Sequence, residues 1–291
     1  MKIGVVFPQT EIGQDPAVIR DYAQAVEAMG DTHILAFDSV VGANPHRPGG
    51  WAGPYTYQHA FHEPFVLFGF CAGVTRHIEL VTGIIILPQR QTALVAKQAA
   101  EVDVLSGGRL RLGIGVGWNT VEFEALGENF ENRGQRVEEQ LEVMRLLWTK
   151  ELVTYEGQWH RVRDAGMQPS PVRQPIPVWM GGESEVVIRR AARLADDWIT
   201  LPHFRPGPAA QQTVDRLHGL VREAGRDPTA FGIEGRMALA QIPAEERAKE
   251  MAAWRGMRGI THLCVNTMGL ALPSPEDHVR TLERFTRDVL A

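Results

Sequence analysis

Short apolar runs alternate with longer amphipathic segments along the whole chain, and this alternation predicts a repeated strand-and-helix unit. Each apolar run is short enough to be a strand, and the predicted strands are residues 2–7, 33–37, 78–87, 110–116, 177–180, 197–201, 231–238 and 261–266. A helix-length segment follows each of them, and the predicted helices are residues 16–29, 62–75, 92–105, 135–148, 184–195, 208–224, 244–255 and 275–290. Such strict alternation indicates parallel strands that are joined by right-handed crossovers.

Eight such units predict a closed (β/α)₈ barrel, with an open doubly wound sheet as the alternative. The closed form is favoured because some strands are apolar on both faces, as in Ile84-Ile85-Ile86. No linker of biased composition interrupts residues 1–291, so we expect a single domain. A hairpin is expected near residues 152–162. Barrel enzymes bind ligands in the loops at the carboxyl ends of the strands, and the loops after the second and fourth strands are unusually long.

Composition narrows the class of protein further. The chain carries 30 basic and 35 acidic residues, a net charge of −5, so we expect no nucleic-acid partner. Cys71 and Cys264 lie in apolar stretches and are interpreted as buried thiols, which favours a reducing, cytoplasmic location. The longest apolar run, residues 65–74, is too short to cross a bilayer, and the first apolar run is too short for a signal peptide.

A glycine pair follows the fifth predicted strand in Gly181-Gly182-Glu183-Ser184. Two glycines allow a sharp turn and a close approach of the backbone to a ligand. The helix that follows offers unpaired N–H groups and a positive dipole end, so the segment predicts a phosphate site. An ordinary helix cap formed by Ser184 is the alternative.

Alternating glycines mark the fourth strand in Gly113-Ile114-Gly115-Val116-Gly117. The spacing differs from the dinucleotide fingerprint, because the glycines alternate along a strand. Loss of side chains from one face would admit either a flat ring or a neighbouring backbone, and we leave both interpretations open.

The loop 38–61 combines Asp38 with histidines and with the aromatic residues Trp51, Tyr55 and Tyr57. We expect the aromatic side chains to line or cover an apolar pocket, with a solvated loop as the alternative. His59, His62 and Glu63 lack the helical H-E-x-x-H spacing, so we expect no metal site.

Several blocks together resemble the bacterial-luciferase-like flavin and deazaflavin oxidoreductases. The blocks are Leu105-Ser106-Gly107-Gly108-Arg109-Leu110 through Trp118, Glu122-Phe123-Glu124-Ala125-Leu126-Gly127, Arg133-Gly134, residues 138–148, residues 178–184, and Thr82-Gly83-Ile84. The resemblance implies a barrel, often dimeric, that holds FMN or coenzyme F420 in its mouth.

The resemblance also implies roles for individual residues. The coenzyme phosphate would lie against Gly181, Gly182, Glu183 and Ser184, with Arg133 as a further contact. Gly117 and Asn119 would complete the coenzyme site. Relatives often carry a non-proline cis peptide in the third strand, and the matching bond here is Gly83-Ile84.

Three departures from the family pattern bear on the branch, and the last two of them, with the compact length, favour the F420 branch over the monooxygenases. Asp38-Ser39 stands where F420-dependent relatives often have Asp-His, so an imidazole donor is missing. Trp118-Asn119 lacks the glutamate of the sugar-phosphate dehydrogenases, and Gly134 replaces the tyrosine of the sulfonate monooxygenases.

We therefore predict an F420-dependent oxidoreductase that transfers a hydride between the deazaflavin C5 and a small, largely uncharged substrate. Asp38 is the predicted polar group at the ring, and Gln9, Trp51 and Tyr55 are the predicted substrate pocket. The alternatives are an FMN-dependent monooxygenase and a flavin-binding protein without turnover. We expect a homodimer and a separate reductase or dehydrogenase that recycles the coenzyme.

Overall fold

A computed structural model describes residues 1–290 of the chain. Eleven strands lie within these residues: β1 Lys2–Val6, β2 His33–Ala36, β3 Glu79–Thr82, β4 Ile85–Ile86, β5 Leu110–Gly115, β6 Val153–Glu156, β7 Arg161–Ala165, β8 Val178–Gly181, β9 Asp197–Ile199, β10 Ile233–Ala238 and β11 His262–Asn266. The same residues form nine α-helices: α1 Pro16–Ala28, α2 Pro64–Val74, α3 Thr92–Ser106, α4 Thr120–Ala125, α5 Arg133–Thr149, α6 Glu185–Leu194, α7 Pro208–Glu223, α8 Arg247–Gly256 and α9 Pro275–Phe285.

The main sheet is a closed parallel barrel. Its strand order is β3-β2-β1-β11-β10-β9-β8-β5-β4, and β3 also pairs with β5, which closes the cylinder. β3 and β4 are two parts of one barrel strand. The barrel therefore has eight strand positions, which we call staves. The predicted (β/α)₈ barrel is confirmed, and the open-sheet alternative is wrong.

The peptide bond between Gly83 and Ile84 divides the third barrel strand. This bond is cis, as the family resemblance implies, and it separates β3 from β4. The continuous strand predicted over residues 78–87 is therefore interrupted in the middle.

The helix boundaries follow local capping chemistry. Asp15 caps α1 by accepting a hydrogen bond from the Ala17 N–H at 2.8 Å, and Pro16 occupies the first helical position. Gly107 ends α3 in the left-handed conformation, with φ of 68°. The short helix α4 is absent from the predicted elements, and a 3₁₀ turn precedes α8 where the prediction begins the helix. β6 and β7 form the expected hairpin, which continues to Ala165.

A layer of charged residues lies inside the barrel below its mouth. The Glu234 carboxylate lies 3.0 Å from Arg111 Nη1 and 3.6 Å from His33 Nε2, and all three side chains are buried. Burial by itself would raise the pKa of Glu234, but its cationic neighbours reverse the effect and lower the pKa to about 2. Cys264 lies within reach of His33 and Glu234, but the Arg111 guanidinium already neutralises this carboxylate.

Both cysteines are buried thiols, as predicted from their apolar surroundings. Burial raises the pKa of Cys71 to about 12, so this thiol stays protonated. In the described part of the chain, no helix combines the length and the apolar character needed to span a bilayer.

Candidate active site

A cleft of about 690 Å³ opens at the carboxyl ends of the barrel strands. This volume lies in the range of small-molecule and coenzyme sites. The cleft has two halves, because neighbouring staves contribute to the same side of the mouth. The loops after β4, β5, β8 and β9 form one half, which we call the glycine half: Gly83, Ile84, Gly115, Gly117, Gly181, Gly182, Ser184, Ile199 and Thr200. The loops and ends of β1, β2, β10 and β11 form the other half, which we call the polar half: Thr10, Glu11, Phe37, Tyr55, Arg236, Asn266 and Met268.

Close packing explains the alternating glycines of β5. A Cβ atom at Gly113 would overlap the carbonyl oxygen of Thr82, and one at Gly115 would overlap the Ile84 side chain. Thr82 also donates its hydroxyl to the Gly113 carbonyl oxygen at 2.7 Å. At Gly113 the structure therefore shows the close approach of a neighbouring backbone, whereas Gly115 meets the Ile84 side chain and lines the cleft.

The turn after β8 forms the predicted phosphate corner. Gly182 adopts a φ of 123°, a conformation that side chains rarely allow, and its carbonyl oxygen accepts a hydrogen bond from Trp198 Nε1 at 2.7 Å. Ser184 caps α6 by accepting from the Val187 N–H at 3.4 Å. The first N–H groups of a helix point outward without acceptors in the helix, so this corner can bind an anion.

Glu183 lies in the corner but faces the neighbouring loop. Its Oε1 accepts a hydrogen bond from the Leu201 N–H at 2.8 Å, and its Oε2 lies 2.9 Å from His203 Nε2. The carboxylate therefore ties the loop after β9 to the corner. It also places negative charge beside the predicted phosphate site.

Asp38 lies at the edge of the cleft with both oxygens engaged. Its Oδ1 lies 2.7 Å from Arg90 Nη2, and its Oδ2 accepts a hydrogen bond from the Ile86 N–H at 3.0 Å. Burial raises the pKa of Asp38, although Arg90 and the Ile86 N–H favour the charged form. Arg90 also pairs with Glu63 at 2.8 Å. Asp38 thereby fixes the backbone just after the cis peptide, and a direct role of its carboxylate at the ring stays a prediction.

The structure brings most of the other predicted residues into the cleft. Gly83, Ile84, Gly117, Tyr55 and the four residues of the phosphate corner all line it.

Four predicted residues do not line the cleft. Gln9 is buried and bridges β1 to β2 through the Phe37 backbone. Asn119 caps α4 by accepting from Val121 at 3.1 Å. Arg133 donates to the Phe130 carbonyl at 2.8 Å and stacks on that ring. Trp51 packs against Trp118, with ring centroids 5.8 Å apart, and so joins the two long loops above the cleft.

Glu122 anchors the long loop after β2. Its carboxylate accepts hydrogen bonds from Val40 N–H, from Val41 N–H at 3.1 Å and from Gln89 Nε2 at 3.0 Å. The Glu122 side chain is buried, and its carboxylate oxygens accept these hydrogen bonds in place of water. Glu122 therefore connects the loop to α4. The histidines of this region also bond to backbone groups: His59 accepts from Thr56, and His62 lies 3.1 Å from the Gly13 carbonyl oxygen.

Arg236 is a site residue that the sequence interpretation missed. It lies on β10 and points into the barrel mouth, where its guanidinium stacks on Phe37 at 5.0 Å. Glu234 and Arg236 alternate with apolar residues in this strand, and that alternation was the available signal of an inward-facing charge.

Comparison with known proteins assigns the family. Residues 1–285 match the family described as luciferase-like monooxygenase. The chain belongs to this family. Its members include enzymes that depend on F420 or on FMN, so this luciferase-like protein is an oxidoreductase or monooxygenase of that flavin or deazaflavin class.

One relative and two solved structures illustrate the range of the family. The F420-dependent glucose-6-phosphate dehydrogenase of Segniliparus rotundus is 32% identical over 231 residues, which cover 76% of this chain and 63% of that protein. The monooxygenase RslO1 from Streptomyces bottropensis superposes with a TM-score of 0.79 at 20% identity, covering 100% of this chain and 99% of that one. An F420-dependent secondary alcohol dehydrogenase with a bound F420-acetone adduct gives 0.77 at 18%, covering 99% and 97%. At these identities the two structures show a shared fold.

Replacing Asp38 with alanine tests its role in fixing the mouth of the barrel. We expect Asp38→Ala to lower the free energy of unfolding by about 3 kcal/mol, because it leaves the buried Arg90 with one partner fewer. Turnover should fall more than coenzyme affinity, since the backbone after the cis peptide loses its anchor. Urea unfolding and steady-state kinetics measure the two effects. Glu63→Gln is the matched control, because it alters the more exposed partner of the same arginine and should cost less than about 1 kcal/mol. Equal losses in both variants would contradict this role.

Proposed function

We propose that the protein is an F420-dependent oxidoreductase that transfers a hydride between the deazaflavin coenzyme and a small organic substrate. The main support is the charge of the phosphate corner. No lysine or arginine lines this corner within residues 1–290, and Glu183 adds a negative charge to it. A terminal phosphate monoester such as that of FMN is close to a dianion, whereas the internal phosphodiester of F420 carries one charge. The helix end and backbone N–H groups suit the single charge better.

The position of the corner supports the same assignment. Ser184 is exposed at the outer edge of the cleft. A coenzyme that is bound there through an internal phosphodiester can continue into solvent with its glutamyl tail. The F420-dependent relative from Segniliparus rotundus adds a comparison at the level of sequence.

The residues of the glycine half fit a planar coenzyme. Gly181, Gly182 and Ser184 would hold the phosphate, and Gly83 with Ile84 would lie against the ring. When bound, the deazaflavin supplies the hydride-transfer chemistry. The protein orients the ring through the Ile84 side chain, which packs against Gly115 and Gly181. Trp51 and Trp118 cover the mouth and limit the access of water.

An FMN-dependent monooxygenase is the second candidate. The description of the family and the structural similarity to RslO1 favour it. In either case, a separate reductase or dehydrogenase would recycle the coenzyme. A flavin carrier without turnover is not favoured, because the relatives and solved structures with a named activity are enzymes.

Titration of the apoprotein with each coenzyme distinguishes the two candidates. We expect oxidised F420 to bind with micromolar affinity and FMN to bind at least about tenfold more weakly, because its phosphate carries the higher charge. Fluorescence of each coenzyme measures the binding. Micromolar affinity for FMN together with no binding of F420 would overturn the first choice.

Ser184 allows a matched test of the phosphate corner. Asp and Asn cap helices about as well as Ser, so neither substitution should unfold the protein. We expect Ser184→Asp to weaken coenzyme binding about tenfold or more by charge repulsion, while Ser184→Asn changes it little. The dissociation constants and melting temperatures of both variants provide the measurement. A phosphate bound elsewhere would leave the affinity of the aspartate variant unchanged.

We also propose that the protein is a homodimer that buries the outer face of α2. Val66 is 72% exposed on this face, Phe70 is 39% exposed, and Gly69 and Gly73 lie between and beyond them. No residue of α2 is charged, and a helix that is apolar all round is normally buried. The resemblance to a family that is often dimeric favours a second copy as its cover.

A charge on α2 tests the dimer. We expect Val66→Glu to produce a monomer of unchanged fold, because two copies of the charge would be desolvated at a two-fold interface. Light scattering after size-exclusion chromatography measures the mass. Val172→Glu is the control, since that valine is 59% exposed on a different surface. A monomeric wild type, or an unchanged dimer of the α2 variant, would refute this interface.

A further inference from the structure

Arg236 carries a buried positive charge in the polar half without a direct ion pair. The residue is 7% exposed, and its Nη2 donates to the Gly83 carbonyl oxygen at 3.2 Å. Its Nε has no hydrogen-bond partner among residues 1–290. The nearest acidic residue along β10, Glu234, is paired with Arg111 and His33. Arg236 also lines the cleft, so a ligand that is bound in the polar half would lie beside this cation.

Tyr55 brings a phenol to the same half of the cleft. Its ring packs edge-on against Phe61, with centroids 4.9 Å apart, and Phe61 joins the cluster that contains Phe37. Phe37 in turn lies beneath the Arg236 guanidinium. Tyr55 and Arg236 therefore belong to one continuous wall of the cleft. Burial raises the pKa of Tyr55, and the charge of Arg236 opposes that rise, so the phenol keeps its proton at neutral pH.

Other polar groups in the polar half already bind protein atoms. Glu11 Oε1 accepts from the Gly269 N–H at 2.8 Å, and Asn266 Oδ1 accepts from the Met268 N–H at 2.9 Å. The Thr10 hydroxyl donates to Met268 Sδ at 3.3 Å. Arg236 and Tyr55 contribute a guanidinium and a phenol to the lining of the cleft.

We propose that Arg236 and Tyr55 form an oxyanion site for the carbonyl oxygen of the substrate, and that Tyr55 is its proton donor. This inference rests on the proposed function and names its substrate class, a ketone or the corresponding secondary alcohol. Tyr55 would serve as the proton donor in a chain that has Ser39 where F420-dependent relatives often have histidine.

The proposed step balances in atoms and electrons. The carbonyl carbon would gain a hydride from a bound reduced deazaflavin: the C5–H bond breaks, a C–H bond to the carbonyl carbon forms, and the coenzyme, oxidised by two electrons, releases its ring N–H proton to water. The π electrons of the C=O bond move to oxygen, which takes the phenolic proton of Tyr55. Arg236 stabilises the negative charge on the substrate oxygen and then on the Tyr55 phenolate, which regains a proton from water. The reverse sequence oxidises the alcohol.

The two donors belong to the substrate because of where the strands place them. β10 and the loop after β2 contribute to the polar half, and β9 separates β10 from β8 in the barrel. The phosphate corner and the packed glycines lie in the other half. A ring held in the glycine half would lie beside the guanidinium, because Nη2 donates to the Gly83 carbonyl oxygen, and a second molecule in the polar half would contact the same guanidinium and the phenol.

Binding of p-nitrophenol tests the oxyanion site without any turnover. Its phenolate resembles a developing oxyanion and absorbs visible light, so absorbance at a fixed pH reports the ionised fraction of the bound probe. We expect wild-type protein to favour the phenolate about tenfold or more, because hydrogen bonds to charged groups are the strong ones. Arg236→Gln should abolish this preference, Arg236→Lys should keep part of it, and Tyr55→Phe should weaken it several-fold.

Arg205→Gln is the matched control, because Arg205 pairs with Glu250 and Gln241 at the rim. It removes the same charge from the molecule and should leave the preference of the probe unchanged. Circular dichroism checks the fold of each variant. If Arg236→Gln does not fold, Arg236→Lys and Tyr55→Phe decide the result. The proposal would be overturned if the Arg236 variants, or Tyr55→Phe, favoured the phenolate form of the probe as strongly as the wild type does.

Repeating the p-nitrophenol measurement with coenzyme bound tests whether the probe occupies a substrate site or the site of the coenzyme ring. We expect the probe and the coenzyme to bind together. Displacement of the probe by saturating coenzyme would assign Arg236 to the ring and overturn the proposal. This test of the oxyanion site does not depend on whether the protein prefers F420 or FMN, because titration of the apoprotein decides between the two coenzymes.

Discussion

The architecture of the site depends on the close approach of the third and fourth barrel staves. Thr82 donates its hydroxyl to the Gly113 carbonyl oxygen, and its own carbonyl oxygen occupies the space that a side chain at position 113 would need. Only glycine allows this contact. The tight pairing places the cis peptide after Gly83 in the barrel mouth, and it presses Ile84 against Gly115 and Gly181. One side of the cleft is thereby flat, apolar and rigid.

Charge is distributed to match this shape. The glycine half offers an anion site built from a helix end and backbone groups, without a cationic side chain among the described residues that line the corner. The polar half contains one buried guanidinium beside a phenol. Below both, Glu234 and Arg111 neutralise each other, so the charge of Arg236 is left for the cleft. The two halves of the cleft therefore differ in chemistry, and the proposed coenzyme and substrate sides follow that difference.

Two buried carboxylates at the rim hold the start of the long loop after β2. Asp38 connects the start of the loop after β2 to the backbone of β4 and to Arg90. Glu122 holds the next residues of the same loop from α4. Because these carboxylates are buried and bonded, they act by positioning the loop. The stack of Trp51 on Trp118 then joins the two long loops to one another.

The sequence by itself predicted the eight strand-and-helix units, because strand and helix periods are local properties. The pairing of β3 with β5 in the tertiary structure decided between the closed barrel and the open sheet. The sequence also predicted the phosphate corner, since Gly181, Gly182 and Ser184 lie within four consecutive residues at a strand-to-helix turn. The sequence did not separate the two interpretations of Gly113 and Gly115, because the atoms that fill the space beside them belong to Thr82 and Ile84, which are far from them along the chain. It placed Gln9, Trp51, Asn119 and Arg133 at the ligand, whereas the tertiary structure engages them with their own neighbours. Arg236 became visible only in the folded chain, because whether a buried charge is paired depends on residues more than a hundred positions away.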